Sequence, residues 1–281
     1  MVLLLGTVLF LGSCFMGCGN KNTTAPPQVF APPTDLRAIN GNEQIVLRWT
    51  PSTDEGLSTF KQYNVYRGPS SLLTTDAGQL SQLGYKIGSV GAGVDSFRTT
   101  VGNGTLYYLH VRAEEDDGSL SGASNEVQAA GRSDGAGRIL EEFAASGDSG
   151  FDFSSGNTVS LKQDNPDRFV LTDIYLGTGA TNDTSSAVLS LKSPALLVRL
   201  NSQWANRSAS IKFLGTDWEV NTTTDGGFSS QLDVLAGAVY AIKTPNGNYA
   251  KLKVDTMSGT PGSRSITFRY AYQPTPDLIQ F

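Results

Sequence analysis

Leu106-Tyr107-Tyr108-Leu109-His110-Val111-Arg112-Ala113 is the stretch that decides the fold of the first half of this chain. In an extended strand, side chains alternate between faces, so Tyr107, Leu109, Val111 and Ala113 share one side. Tyr108, His110, Arg112 and Glu114 share the other. One face suits a core and the other suits water, the pattern of a half-buried β-strand. The same alternation recurs upstream in Gln44-Ile45-Val46-Leu47-Arg48-Trp49, with Ile45, Leu47 and Trp49 inward. It appears again in Tyr63-Asn64-Val65-Tyr66-Arg67, with Tyr63 and Val65 inward. Downstream, acidic residues and Gly118 make a turn before the closing segment Ala123-Ser124-Asn125-Glu126-Val127. Short strands at this spacing, joined by polar turns, predict an antiparallel sandwich.

The order of these motifs carries a more specific signal. Ala31-Pro32-Pro33-Thr34-Asp35-Leu36 opens the region, and Leu47-Arg48-Trp49 and Tyr63-Asn64-Val65-Tyr66-Arg67 follow. With the alternating run from Tyr107 to Ala113 and the closing Ser124-Asn125-Glu126-Val127, residues 32–131 resemble a fibronectin type III domain. The resemblance implies an immunoglobulin-like sandwich with Trp49 at the centre of its core. It also implies that Tyr107 is a tyrosine-corner residue, bonding back to the preceding loop. Residues 68–84 depart from the family pattern as a long insertion, with a helical turn expected around Asp76 to Leu83.

Residues 129–138 are rich in Gly and Ala and have no alternation, so 132–137 read as a linker. Beyond it, 138–281 read as a second antiparallel, all-β domain. Strand signals fall at Phe151-Asp152-Phe153, Thr158-Val159-Ser160-Leu161, Asp173-Ile174-Tyr175-Leu176 and Ala187-Val188-Leu189-Ser190-Leu191. The clearest are Val239 to Lys243 and Tyr249 to Val254, joined through Asn246-Gly247, and then Ser265 to Tyr272. Asn-Gly is a strong hairpin signal because both residues tolerate positive φ. The block from Tyr240 to Tyr272 distantly resembles the β-rich haem-scavenging lipoproteins of the HmuY type. That resemblance implies a carrier of a small ligand, haem-like or sugar, in the C-terminal domain.

Residues 1–18 form an uncharged apolar run ending in two cysteines, and the chain turns polar at Gly19-Asn20-Lys21-Asn22. The run has the length of a secretory signal core. A small residue before cysteine resembles the lipobox of bacterial lipoproteins, which implies cleavage before that cysteine and its acylation. Leu11-Gly12-Ser13-Cys14 keeps the leucine of the motif. Phe15-Met16-Gly17-Cys18 replaces it with phenylalanine but leaves a polar new terminus, which favours Cys18 slightly over Cys14. Residues 19–31, rich in Asn, Thr and Pro, read as an extended linker. The expected location is the bacterial cell envelope, at the outer membrane or cell surface, with the membrane engaged through the lipid.

Composition excludes several classes of chemistry. The formal charge is −5 with no basic stripe, so no nucleic-acid partner is expected. The 2 cysteines both lie in the leader, which leaves no thiolate site for a metal or a nucleophile beyond it. A single histidine, His110, cannot supply paired axial ligands to haem, and it reads as an exposed sheet-face residue. Haem would then have to fall to Met257, Tyr240 or Tyr249. Glu114-Glu115-Asp116-Asp117-Gly118 offers oxygen ligands for calcium but lacks alternating aspartates, so it reads as a solvated turn and no metal is expected. Asp148, Asp152, Asp164, Asp167 and Asp173 are scattered; glycoside hydrolysis needs two converging carboxylates, and they read as loop residues. Trp204, Trp218, Tyr249, Tyr270 and Tyr272 read mostly as core, with sugar stacking as the alternative. The expectation is a membrane-anchored, non-enzymatic binding, adhesion or scaffolding module without cofactor, with a protein or polysaccharide ligand. The alternatives are a small-ligand carrier, and a carbohydrate-active enzyme or its accessory domain.

Overall fold

The computed structural model describes residues 30–162, 164–179 and 188–281. Cys14, Cys18 and residues 19–29 of the expected linker lie outside them. The first half forms two facing antiparallel sheets. One holds β1 (Thr34–Gly41), β2 (Gln44–Thr50) and β5 (Ser96–Thr100), in that order. The other runs β4 (Lys86–Val90), β3 (Phe60–Gly68), β6 (Leu106–Glu115) and β7 (Val127–Ala130). This three-on-four strand order makes an immunoglobulin-like sandwich, the fold that the fibronectin type III resemblance implies.

Its core follows the alternation read above. Ile45, Leu47, Tyr63, Val65, Leu109, Val111 and Ala113 are all fully buried. Trp49 is buried among them, its ring edge-on to Tyr63 at 5.6 Å. Tyr107 packs at the edge of this core beneath the Arg67 guanidinium, 4.8 Å from its ring. Its hydroxyl makes no hydrogen bond to another described residue. The tyrosine that reaches a loop is Tyr63, whose hydroxyl accepts the Ser52 N–H at 2.8 Å. Phe30 is buried and stacks on Phe60, so the folded unit begins before the expected linker ends at residue 31.

The insertion after β3 changes the outer face of the second sheet. It forms α1 (Ala77–Gln82), capped by the Asp76 carboxylate accepting the Gly78 N–H at 2.8 Å. Leu72 and Leu80 from this segment pack onto Tyr66 of β3. The outward residues of β6 therefore lie under a cover, and His110, Arg112 and Glu114 are buried rather than exposed. Alternation placed them on the correct face; the insertion decided their burial.

The second half is another sandwich of two five-stranded antiparallel sheets. One runs β10 (Asn157–Val159), β9 (Gly150–Asp152), β11 (Ile174–Thr178), β12 (Leu189–Lys192), β14 (Gln231–Asp233). The other runs β13 (Ser210–Gly215), β15 (Val239–Lys243), β16 (Tyr249–Ser258), β17 (Ser265–Tyr272), β8 (Ser133–Glu141). Between them Phe151 meets Phe153, Phe268 and Tyr270 edge-on at 5.0, 4.9 and 5.1 Å, a favoured aromatic geometry. The β15–β16 hairpin stands where Asn246-Gly247 placed it. Only Gly247 has positive φ (83°), so Pro245 and Asn246 form the turn and Gly247 closes it.

The expected 132–137 linker is instead the start of β8, with Ser133, Asp134 and Gly135 paired to Tyr272, Ala271 and Tyr270. Glycine is required there by packing: a Cβ on Gly135 would stand 2.2 Å from the Tyr270 ring. The two sandwiches consequently touch along a bonded seam. Arg132 N–H donates to the Gly41 carbonyl at 3.0 Å, and Thr275 Oγ1 donates to the Gly104 carbonyl at 2.7 Å. The Asn221 side chain donates to the Ala38 carbonyl.

Candidate functional site

A hollow of the second sandwich lies at one end of the sheets, where short irregular segments replace strands. After β8 the chain turns so that Phe143 N–H donates to the Leu176 carbonyl at 2.9 Å. Residues 160–162 follow β10, and α2 (Arg168–Leu171) sets Phe169 against Trp204 at 4.7 Å. Two 3-10 turns, Pro194–Leu197 and Ser202–Asn206, complete the wall. Proline at the first position of one turn and the Asn201 carboxamide accepting Gln203 N–H (2.9 Å) at the other fix this path.

The resulting groove holds about 460 Å³ and is lined by Phe143, Leu161, Leu197, Leu200 and Trp204, with Lys162, Arg168 and Asn201 as polar members. It runs on past Phe143, Leu161 and Lys162 into a smaller hollow of about 200 Å³ beside Ala145, Gly147 and Ser149. Trp204 is buried in the wall, while Leu200 at the rim is 59% exposed and Val170 and Val198 are exposed nearby. Apolar walls with a few polar donors are the usual make-up of a small-ligand site, and such walls suit the apolar faces of sugar rings.

Two of the scattered carboxylates do converge. Asp152 and Asp173 are both buried, and Arg207 donates to Asp173 Oδ1 at 3.2 Å and to the Thr172 carbonyl at 2.8 Å. Burial pushes the Asp173 carboxyl up to about 7, against the lowering pull of the Phe153 N–H and Arg207 and with a further push from Asp152. Asp152 is committed to the turn that follows it, accepting Ser154 N–H and the hydroxyls of Ser154 and Ser155 at 2.7–2.9 Å. Neither carboxylate lines the groove. Their arrangement is a brace between β9, β11 and the segment before β13. Asp148 accepts the Thr158 hydroxyl, and Asp164 and Asp167 are exposed near α2.

Of the aromatics weighed as stacking residues, Trp204, Tyr249, Tyr270 and Tyr272 are buried, and Trp218 alone keeps partial exposure. Only Trp204 borders the groove; Phe143 and Leu200 were missed because no periodic pattern surrounds them. Tyr240 is occupied, its hydroxyl donating to the Asp233 carbonyl at 2.8 Å, and Tyr249 donates to Asp225 at 3.0 Å. His110 lies under the insertion, its Nε2 accepting Arg112 Nε–H at 3.3 Å. Glu114 leaves the acidic turn for an ion pair with Lys61 at 2.7 Å. Among the described residues no group of three or more His, Cys, Asp or Glu is placed to hold a metal ion. Among them, too, no helix is long and apolar enough to cross a membrane.

No family model matches the chain. It is similar to an amylopullulanase of Thermoanaerobacter thermohydrosulfuricus, 35% identical over 118 residues, which make up 42% of this chain. The chain spans only 7% of the length of that relative. Among solved structures, the fourth fibronectin type III domain of a human protein overlaps 43% of this chain and 92% of its own, at 19% identity and TM-score 0.27. A β-1,2-glucanase from Parabacteroides distasonis overlaps 37% of this chain and 13% of its own, at 18% identity and TM-score 0.28.

Proposed function

We propose that the chain is a lipid-anchored, non-enzymatic polysaccharide-binding module of the bacterial envelope. Cys18, or else Cys14, is the attachment residue, the first sandwich is the spacer, and the second bears the ligand. The observation that carries the binding part is the groove of Phe143, Leu161, Leu197, Leu200 and Trp204, with Lys162, Arg168 and Asn201 as its polar members. The similarity to an amylopullulanase supports the choice of polysaccharide over protein as the ligand class. The anchor rests on the cysteine motifs of the leader.

Affinity electrophoresis of the full chain through gels containing pullulan, amylopectin or polygalacturonate tests the reading. Retardation by one of them is expected, relieved by Leu200→Ser. This rim change is preferred to Trp204→Ala, which would open the wall itself, and to Asn201→Ala, which would uncap the turn behind it. Unretarded migration in all three gels, or retardation indifferent to the rim, removes the groove from the function. A mature amino terminus carrying no diacylglyceryl mass on either cysteine removes the anchor. The convergence of Asp152 and Asp173 gives the enzyme reading one specific foothold. Glycan turnover abolished by Asp152→Asn and by Asp173→Asn would replace binding with catalysis; their burial and backbone bonds favour no turnover.

A further inference from the structure

A second hollow, of about 430 Å³, lies at the seam between the sandwiches. Its floor carries an uncommon arrangement. Arg37 on β1 and Arg48 on β2 are direct partners in the antiparallel register, both exposed on the outward face of the sheet. Neither has an ion-pair partner among the described residues. Like charges directly opposite across strands destabilise their pairing, so the sheet carries this pair at a cost. A β-bulge between Thr34 and Arg37, with Asp35 at φ 52°, sets a carboxylate on the rim beside them; bulges re-aim side chains in this way.

The facing wall is the segment 216–221 after β13, which presents the exposed carboxylates of Asp217 and Glu219. This wall is held from behind. Lys251, fully buried on β16, donates to the carbonyls of Trp218 at 2.5 Å and Val220 at 2.7 Å, with the Trp218 ring 4.4 Å from its ammonium. Asn221 is tied to β1 through the Ala38 carbonyl, and its own carbonyl accepts Phe281 N–H at 2.8 Å. The walls are therefore set before any ligand arrives, which lowers the ordering cost of binding.

We infer that this hollow binds a small zwitterion, with an oxyanion seated across Arg37 and Arg48 and an ammonium against Asp217 and Glu219. Guanidinium forks match carboxylate and phosphate geometry. A simple anion would meet the three carboxylates of the lining, and a simple cation would meet the two arginines; a dipolar molecule complements both walls. A phosphoethanolamine headgroup and the termini of a short peptide share this chemistry. The volume is within the range of small-molecule sites.

Isothermal titration of the full chain with glycerophosphoethanolamine and with dialanine tests this, using glycerol phosphate and ethanolamine as single-charge controls. At least one zwitterion is expected to bind saturably, about tenfold or more tighter than either control, and the tighter one identifies the source. Arg37→Gln with Arg48→Gln, and Asp217→Asn with Glu219→Gln, are each expected to weaken it about tenfold or more. No saturable heat from either zwitterion, equal binding of a control, or indifference to these variants overturns the assignment. Without ligand, the arginine double variant is expected to keep or raise the melting temperature, because it removes a repulsion. A fall would show the arginines to be partners of the acidic wall across the seam, and would also overturn it.

Discussion

His110 shows how one residue's surroundings set a measurable property. Burial, with the Arg112 charge beside it, pushes its imidazole down to about 4 from the ordinary 6.5. The folded state thus resists protonation that the unfolded chain accepts. Stability from this group is complete above pH 6.5 and is lost as pH falls through that value towards 4, by roughly 3 kcal/mol. Asp173 acts oppositely. Its carboxyl, raised to about 7 chiefly by burial, contributes stability that is complete below the ordinary 3.8 and lost as pH rises through 7. Between pH 7 and 4 the two slopes partly cancel. Urea melts should separate them: His110→Gln should gain stability on acidification over that range, and Asp173→Asn should lose it. Parallel slopes in the two variants would contradict the assignment. Neither group was legible as a titrating centre in the sequence. Alternation gave the face of His110 but not its cover, and the carboxylate partners of the brace lie 21 positions apart, at Asp152 and Asp173.

At the level of elements, α1 is the cover whose loss should be most visible. Leu80 is fully buried against Tyr66 and Leu72. Leu80→Ala should cost about 2–5 kcal/mol, the usual range for a buried leucine, and should also admit water to His110. The observable is the His110 pKa by NMR, which should rise towards 6.5 in the variant; a pKa that stays near 4 would assign the shift to Arg112 instead of the cover. Elements with clear signals were legible: β2, β3 and β6 stand where alternation put them, and β15, β16 and β17 where the strand runs around Asn246-Gly247 and after it put them. β8 was not. Its Gly135 fits beneath the Tyr270 ring, so a residue chosen for close approach read as a chain break. The groove was least legible of all, since α2 and the two 3-10 turns have no repeating period and Phe143, Leu161 and Trp204 meet only through tertiary packing.

For the whole molecule, the seam predicts coupled unfolding. Backbone bonds from Arg132 to Gly41 and from Gly104 to Gly131, together with the Asn221 and Thr275 side chains, tie three separate segments, at 131–132, 221 and 275, to the first sandwich. The full chain should melt in a single calorimetric transition, and Asn221→Ala with Thr275→Ala should split it into two. Two transitions in the unaltered chain would show that the seam transmits little energy.

The junction itself has a consequence for how such a chain can change over generations. Ala130 ends one sheet and Ser133 begins another, with only Gly131 and Arg132 between them. A Cβ on Gly131 would lie 2.8 Å from the Gly102 carbonyl oxygen. Adding one residue here would turn every side chain of β8 to the opposite face or break its register with β17. Exchanging either sandwich as a cassette would therefore require this joint to be rebuilt with it.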